Sequence, residues 1–212
     1  LSVPAAVDAV TASLTEPTAT ALHAVSLVER VSYRPISEQR CLVIGGGAIG
    51  LLTALVLAAK GCRSIDLAET NDLRRATVDR EQVAQSFDPM SQIAPHAGQY
   101  DVVLDCVGAG VTRAMASEQV APGGIISHVG LQNNDDGLDM RKITLQEVSV
   151  LGNYCYTPAD MSAALTMLAH GQLGSLQWVE QRPLSEGAKA FSDLHHGRVA
   201  AAKIVLQPDH LI

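Results

Sequence analysis

Three glycines at a fixed spacing carry the strongest chemical signal in the sequence. Gly45, Gly47 and Gly50 follow a short apolar run at residues 41–44 and precede a second apolar run at residues 51–59. This order predicts a buried strand, a tight turn and a helix. Such a turn is where a phosphate group can bind backbone N–H groups, although the same turn also occurs without a ligand.

Each glycine has a separate mechanical role in a turn of this kind. Gly45 lets the chain turn sharply away from the strand, Gly47 lets a pyrophosphate approach the backbone, and Gly50 lets the helix pack closely against the strand. The N–H groups of Ala48 and Ile49 lie at the predicted helix N-terminus, where the helix dipole favours an anion. These five residues are therefore candidates for phosphate binding.

A carboxylate follows the next predicted strand, residues 64–68. Glu69 lies 19 residues after Gly50, close to the spacing of about 20 residues expected for the acid that binds the adenosine ribose hydroxyls of NAD. A carboxylate at this position repels the extra phosphate of NADP. Arg74 and Arg75 lie nearby and leave NADP as an alternative. The glycine turn and Glu69 together predict NAD binding.

The composition excludes several other classes of protein. With 47% hydrophobic and 17% charged residues, the 212-residue chain can form a large core. A net charge of −7 without a basic patch argues against a nucleic-acid partner. The longest apolar run, residues 48–59, is shorter than the span of about 20 residues that a membrane helix needs, and no signal-peptide pattern is present. The four cysteines form no Cys-x-x-Cys pair, so we expect reduced thiols and a cytoplasmic protein.

Predicted strands and helices alternate after the glycine turn. We expect an α/β fold, a doubly wound parallel Rossmann sheet of six strands in the order 3-2-1-4-5-6, with a ligand crevice between the first and fourth strands. The other predicted strands are residues 84–87, 100–107, 125–129 and 148–152, with a turn at 122–124, and the predicted helices are residues 72–80, 112–120 and 141–146.

The segments on either side of this sheet have a different pattern. Before it, Glu16-Pro17 predicts a break and residues 19–30 predict a helix. The chain divides into a lead-in at residues 1–35, a dinucleotide-binding domain at residues 36–155 and a C-terminal return segment at residues 156–212. In that segment we expect a helix at 157–170, a strand at 178–183, a helix ending at Leu194 and a strand at 203–206. The side chains of the second helix that we expect to face the core are Ala188, Ala190, Phe191 and Leu194.

Short phrases of the sequence, taken in order, resemble the medium-chain zinc-dependent alcohol and polyol dehydrogenases. The phrase Cys155-Tyr156-Thr157-Pro158 is most similar to the butanediol and sorbitol dehydrogenase branch, which oxidises secondary alcohols. The resemblance covers nearly the whole chain. Its other phrases are Glu16-Pro17, Leu22-His23-Ala24, residues 45–50, Glu69-Thr70-Asn71, residues 105–108, Val129-Gly130-Leu131, residues 152–154, residues 184–187 and residues 203–206.

This resemblance implies an activity, an assembly and further contacts. It implies hydride transfer between a secondary alcohol or polyol and the nicotinamide of NAD, and a homodimer formed through the edge strand at residues 148–151. Lys203 matches a basic residue that the family places against the pyrophosphate. The other residues that the resemblance adds to the cofactor site are Thr70, Arg74, Cys106, Val107, Gly108, Val129, Gly130, Leu131 and Asn153.

One part of the family pattern is missing from the chain. Family members begin with a domain that holds the catalytic zinc on a cysteine and a His-Glu pair, and no such ligand set occurs here. We therefore expect no metal site and no turnover from this chain alone, with zinc only in the full-length parent. Glu16 matches a glutamate near that zinc, but without a zinc site here we favour its interpretation as a surface acid that flanks a helix. The alternative function is a stand-alone NAD-binding module, a redox sensor or assembly subunit without catalysis.

Several polar residues have a structural interpretation beside the functional one. Asp105 either contacts a ligand or caps the turn after its strand, and Lys203 is either the pyrophosphate contact or a surface lysine. We interpret His128 as a satisfied core histidine. His195 and His196 are interpreted as surface residues, because adjacent residues point to different sides of a helix.

Overall fold

Six parallel strands form the central sheet of the computed structural model, which describes residues 1–208. Their order is β3-β2-β1-β4-β5-β6, so the predicted doubly wound α/β fold is confirmed. The strand order reverses between β1 and β4, where such folds bind ligands. The strands are β1 Arg40–Ile44, β2 Ser64–Ala68, β3 Gln85–Phe87, β4 Tyr100–Asp105, β5 Val120–His128 and β6 Ser149–Gly152.

Helices cover both faces of this sheet. Alternate side chains of β1 enter different cores: Cys41 and Val43 face one, and Leu42 and Ile44 face the other. Burial on both faces explains why the strand sequences are continuously apolar. The helices are α1 Ala9–Ser13, α2 Thr15–Val31, α3 Ala48–Ala59, α4 Asp72–Glu81, α5 Gly110–Gln119, α6 Met140–Leu145, α7 Pro158–Ala169 and α8 Gly187–His195.

A second, smaller sheet lies in the C-terminal segment. It consists of β7 Val179–Pro183 and β8 Lys203–Gln207, which pair in parallel. Arg182 of β7 forms ion pairs with Glu180 and with the buried Asp193 of α8. The predicted domain bounds at residues 35/36 and 155/156 stay a prediction.

The helix that precedes the sheet begins earlier than predicted. We expected a break at Glu16-Pro17, but Pro17 lies in the first turn of α2, which starts at Thr15. This prediction was wrong because the N–H groups of a first helical turn have no partner within the helix, so proline loses no hydrogen bond there. Asn71, by contrast, caps α4 as predicted, since its side chain accepts a hydrogen bond from the Arg74 N–H.

Two further predictions were wrong. The predicted turn at residues 122–124 is part of β5, where the pairing register with β4 shifts between Tyr100 and Val102 and lets the strand continue. In α8, Phe191 is 75% exposed and Ala188 is also exposed. The small sheet offers only a narrow apolar surface, which Ala190 and Leu194 fill.

No helix within residues 1–208 is both long and apolar enough to cross a membrane.

The turn between β1 and α3 has no room for a side chain at Gly50 but leaves open space at Gly47. A methyl group on Gly50 would clash with the carbonyl oxygen of Gly45, whereas no atom lies within 4 Å of a methyl group placed on Gly47. The close contact at Gly50 brings the start of α3 against the end of β1.

We expect Gly50→Ala to lower the free energy of unfolding by about 1–3 kcal/mol because of this clash. Helix propensity alone would make the alanine variant more stable by about 1 kcal/mol. A loss of stability therefore identifies the clash as its cause. Gly47→Ala is the matched control without a clash and should cost less, about 1 kcal/mol at most, because alanine is a poorer N-cap residue than glycine. Urea denaturation followed by circular dichroism measures both variants, and equal midpoints for the two would contradict the prediction.

Candidate functional site

A cleft of about 700 Å³ lies at the carboxyl ends of the strands on both sides of the point where the strand order reverses. Ile44 and Gly45 contribute from the end of β1, Glu69 from the end of β2, Phe87 from the end of β3, and Val107 from the turn after β4. The predicted crevice is therefore present. The cleft also contains Thr70 and Arg74, so five residues of the predicted site meet there: Gly45, Glu69, Thr70, Arg74 and Val107.

The N-terminus of α3 has no side-chain cap. Gly47 is its N-cap residue, and its backbone is extended. The preceding N–H groups have partners, because Gly45 donates to the Ala68 carbonyl at 2.8 Å and Gly46 donates to a Glu69 carboxylate oxygen at 2.7 Å. An uncapped helix N-terminus of this kind can bind an anion. Ala48 and Ile49 form its first turn, as predicted.

Glu69 joins the turns that follow β1 and β2. Its buried carboxylate accepts the Gly46 N–H through Oε2 and the Asn71 N–H through Oε1, at 2.7 and 2.8 Å. Both oxygens therefore have a fixed position in the cleft wall. A carboxylate oxygen has two acceptor positions, so Oε2 can accept one further hydrogen bond from a ligand hydroxyl. The second position of Oε1 is occupied by the Thr70 hydroxyl at 3.4 Å, a long bond that a ligand hydroxyl can replace.

The two arginines near Glu69 are bound to backbone carbonyls. Arg75 donates to the carbonyl oxygen of Glu69 at 2.8 Å. Arg74 donates from Nη2 to the carbonyl oxygen of Leu194 at 3.1 Å. Arg74 thereby connects α4 to α8 while its side chain lines the cleft.

Asp105 organises the turn after β4. The fully buried carboxylate accepts the N–H groups of Val107 and Gly108 through Oδ1 and the Thr112 hydroxyl through Oδ2, all within 3.0 Å. Asp105 therefore has the capping role, which is one of the two roles predicted for it. His128 lies 3.4 Å from Oδ2 with a side chain 27% exposed, so it is at the edge of the core rather than inside it.

The remaining predicted cofactor residues lie after β4, β5 and β6 or in the small sheet. Val129 and Gly130 both donate to the Asp105 carbonyl oxygen, Leu131 is exposed, and Asn153 is buried. Burial raises the pKa of the Cys106 thiol, which keeps it protonated at neutral pH. Lys203 begins β8 and is partly exposed.

Within residues 1–208, no three or more His, Cys, Asp or Glu side chains are arranged to hold a metal ion. Glu16 is exposed in the first turn of α2. Desolvation of the phenol raises the pKa of Tyr156, and the charge of Glu16 adds to this shift. His195 and His196 are exposed, as predicted. His210 lies outside the described residues.

One wall of the cleft was not anticipated from the sequence. Met90 and Ile93, from the connection between β3 and β4, line the cleft together with Val111 and Met115 of α5. Met90 and Ile93 are 82% and 86% exposed, so this wall presents large apolar side chains to the cleft. The sequence between β3 and β4 has no regular spacing of apolar residues that would distinguish it from an ordinary loop.

Comparisons with known proteins agree with this geometry. Residues 48–170 match the family described as zinc-binding dehydrogenase. The chain is 30% identical over 216 residues to a sorbitol dehydrogenase of Halalkalibacterium halodurans, covering 97% of the chain and 61% of that enzyme. The family predicted from the sequence is therefore confirmed.

Solved structures show the same fold in proteins with different cofactors. Acetophenone reductase from Geotrichum candidum, in complex with NAD, has a TM-score of 0.83 at 20% identity and covers 97% of the chain and 58% of its own. A protein from Sinorhizobium meliloti, described as a zinc-binding dehydrogenase and bound to NADP, has a TM-score of 0.81 at 22% identity. The match covers 98% of the present chain and 61% of that protein. The chain thus spans about three fifths of these proteins. Because the family match covers more than half of its residues, the chain belongs to the zinc-binding dehydrogenase family.

Proposed function

We propose that this chain is the NAD(H)-binding part of an oxidoreductase that transfers hydride between a secondary alcohol or polyol and a nicotinamide cofactor. The observation that carries the proposal is the cleft at the switch point, which Gly45 and the buried Glu69 carboxylate line. The uncapped N-terminus of α3 follows two residues after Gly45, and Glu69 is bonded to Gly46 between them. The sorbitol dehydrogenase relative supports the substrate class.

The β1–α3 turn fits a pyrophosphate. The N–H groups of Gly47, Ala48 and Ile49 are at the open end of α3, and the space above Gly47 is free of other atoms within 4 Å. A methyl group at this position would occupy the space through which the phosphates approach the backbone. Lys203 is proposed as an additional positive charge for the same group.

The adenosine end fits NAD better than NADP. Glu69 would accept hydrogen bonds from the two ribose hydroxyls, and its negative charge would repel a 2′-phosphate. Arg74 and Arg75 are the nearest candidates to neutralise such a phosphate, but both already donate to backbone carbonyls. The apolar wall formed by Met90 and Ile93 would cover the adenine ring.

The other end of the cofactor site would be formed by the turns after β4, β5 and β6. Here the resemblance assigns Cys106, Val107 and Gly108, then Val129, Gly130 and Leu131, and finally Asn153. The nicotinamide ring supplies the hydride acceptor, and these residues would hold and orient it. Zinc bound by the metal domain of a longer family member would polarise the alcohol oxygen, and Glu16 is proposed to lie near such a zinc.

Cofactor preference tests the proposal directly. We expect NADH to bind at least about tenfold more tightly than NADPH in calorimetric titrations, because of the charge on Glu69. Glu69→Ala should lose NADH affinity and most of this preference, since it removes the ribose contact and the repulsion together. Glu38→Ala, an equal charge change at an exposed position outside the cleft, is the control.

A wild-type protein that binds neither NADH nor NADPH would refute the proposed function. Equal or tighter NADPH binding would refute only the choice of NAD. Thermal denaturation of Glu69→Ala is measured in parallel, because its carboxylate also binds Gly46 and Asn71.

We also propose a homodimer through β6. This strand is at the edge of the sheet, and of its four residues only Leu151 is partly buried. An uncovered apolar edge strand favours pairing with a second strand. The loop at residues 133–139 does not cover it, because Asn133 binds Gly110 of α5 and Asp139 binds Ser117 of α5. Tyr154, just after the strand, is also exposed.

Sedimentation analysis tests this assembly. Val150→Lys should convert the wild-type dimer into a monomer, because it places a charge in the middle of the pairing edge. Val31→Lys is the matched control: Val31 at the end of α2 has the same 40% exposure as Val150. A monomeric wild type, or a Val150→Lys variant that remains dimeric, would show that β6 is not the contact.

A further inference from the structure

A buried carboxylate, Asp66, lies in the middle of β2 and does not line the cleft. Asp66 is 3% exposed, and its register neighbours in the sheet are Leu42 of β1 and Gln85 of β3. A charge buried in a sheet is costly unless it is paired and hydrogen-bonded. The groups that satisfy Asp66 are therefore informative about why it is there.

Two side chains reach the same oxygen of Asp66. The Tyr100 hydroxyl donates to Oδ2 at 2.6 Å, and His96 Nδ1 lies 2.8 Å from it. The backbone N–H of His96 donates to the Tyr100 hydroxyl at 3.2 Å, which closes the cluster. Burial, together with Asp66, raises the pKa of Tyr100, so its hydroxyl stays protonated and remains a donor. We call Asp66, His96 and Tyr100 the Asp66 latch.

The latch holds the segment that forms the apolar cleft wall. This wall segment, residues 88–99, connects β3 to β4 and contributes Pro89, Met90, Gln92, Ile93, Ala94 and Ala97 to the cleft. Its other hydrogen bonds near the cleft are internal, such as those of Asp88 with Met90 and Ser91. Among described residues, His96 makes the only hydrogen bonds from residues 89–97 to the sheet.

We propose that His96 is a positioning residue for the adenosine part of the ligand, acting through the Asp66 latch. The inference rests on the proposed function. Met90 and Ile93 have little apolar packing of their own, since both are more than four fifths exposed. Their position therefore depends on how the segment is tied to the sheet. A wall ordered before binding spares the ligand the entropy cost of ordering it.

AMP is the probe, because it contains the adenosine half of NAD and no nicotinamide. His96→Leu should weaken AMP binding to the full chain about tenfold, as expected when a wall must be ordered on binding. His96→Asn should restore most of the affinity, since the asparagine amide nitrogen takes the place of Nδ1 as donor to Asp66. The His96 side chain is 37% exposed, so neither variant opens the core.

The matched control is His23→Leu. His23 of α2 makes a bond of the same length, 2.8 Å, to Asp160 of α7, and neither residue lines the cleft. Its loss should leave AMP affinity unchanged. Hydrogen exchange provides a second measurement, independent of any ligand: exchange within residues 88–99 should rise in His96→Leu and return toward wild type in His96→Asn.

The outcomes separate the latch from the proposed function. If the wild type binds neither AMP nor NADH, the proposed function and the positioning role both fail, while exchange still reports whether the latch orders residues 88–99. If the wild type binds AMP and His96→Leu binds it equally well, the positioning role is overturned. It is also overturned if His96→Asn is as weak as His96→Leu, or if His23→Leu is weakened to the same extent.

Discussion

The hydrogen bond from the Gly46 N–H to Glu69 connects the two loops on which the cleft depends. It ties the turn at the start of α3 to the end of β2, so the helix N-terminus and the carboxylate have a fixed relative position. The bond is buried, where an unpaired carboxylate would be costly. The same side chain therefore has a structural and a proposed ligand role. These roles are compatible because each carboxylate oxygen can accept more than one hydrogen bond.

Two further carboxylates extend this arrangement across the sheet. Asp105 fixes the turn after β4 through backbone N–H groups, and Asp66 fixes the wall segment through Tyr100 and His96. Each lies on a parallel strand next to β1. Asp105 is satisfied by groups from the connection that follows β4, whereas Asp66 on β2 is satisfied by His96 of the β3–β4 connection and by Tyr100 of β4. The loops of the cleft are therefore attached to a rigid sheet by buried acids, which is a favourable basis for a preformed ligand site.

The sequence predicted the parts of this arrangement that depend on local pattern. The glycine spacing, the apolar strands and the Asn71 cap each occupy a few consecutive residues, so their structural consequence could be worked out directly. The bulged start of β5 and Phe191 were misjudged because their environment comes from neighbours in space, whereas Pro17 was misjudged because a first helical turn tolerates proline. The Asp66 latch could not be predicted, since Asp66, His96 and Tyr100 meet only once β2 and β4 have been placed on either side of β1.

The strand order also has a consequence for how the protein folds. β1 pairs with β2, which follows it after a single helix, but it also pairs with β4, where Cys41 lies beside Val102. The crevice exists only after this second pairing, and closing the long intervening chain costs entropy before any contact stabilises it. We infer that the first βαβ unit forms before the crevice does. Until β4 arrives, one side of β1 is an open apolar edge, so the region that later binds the ligand is the one most exposed to misassembly during folding.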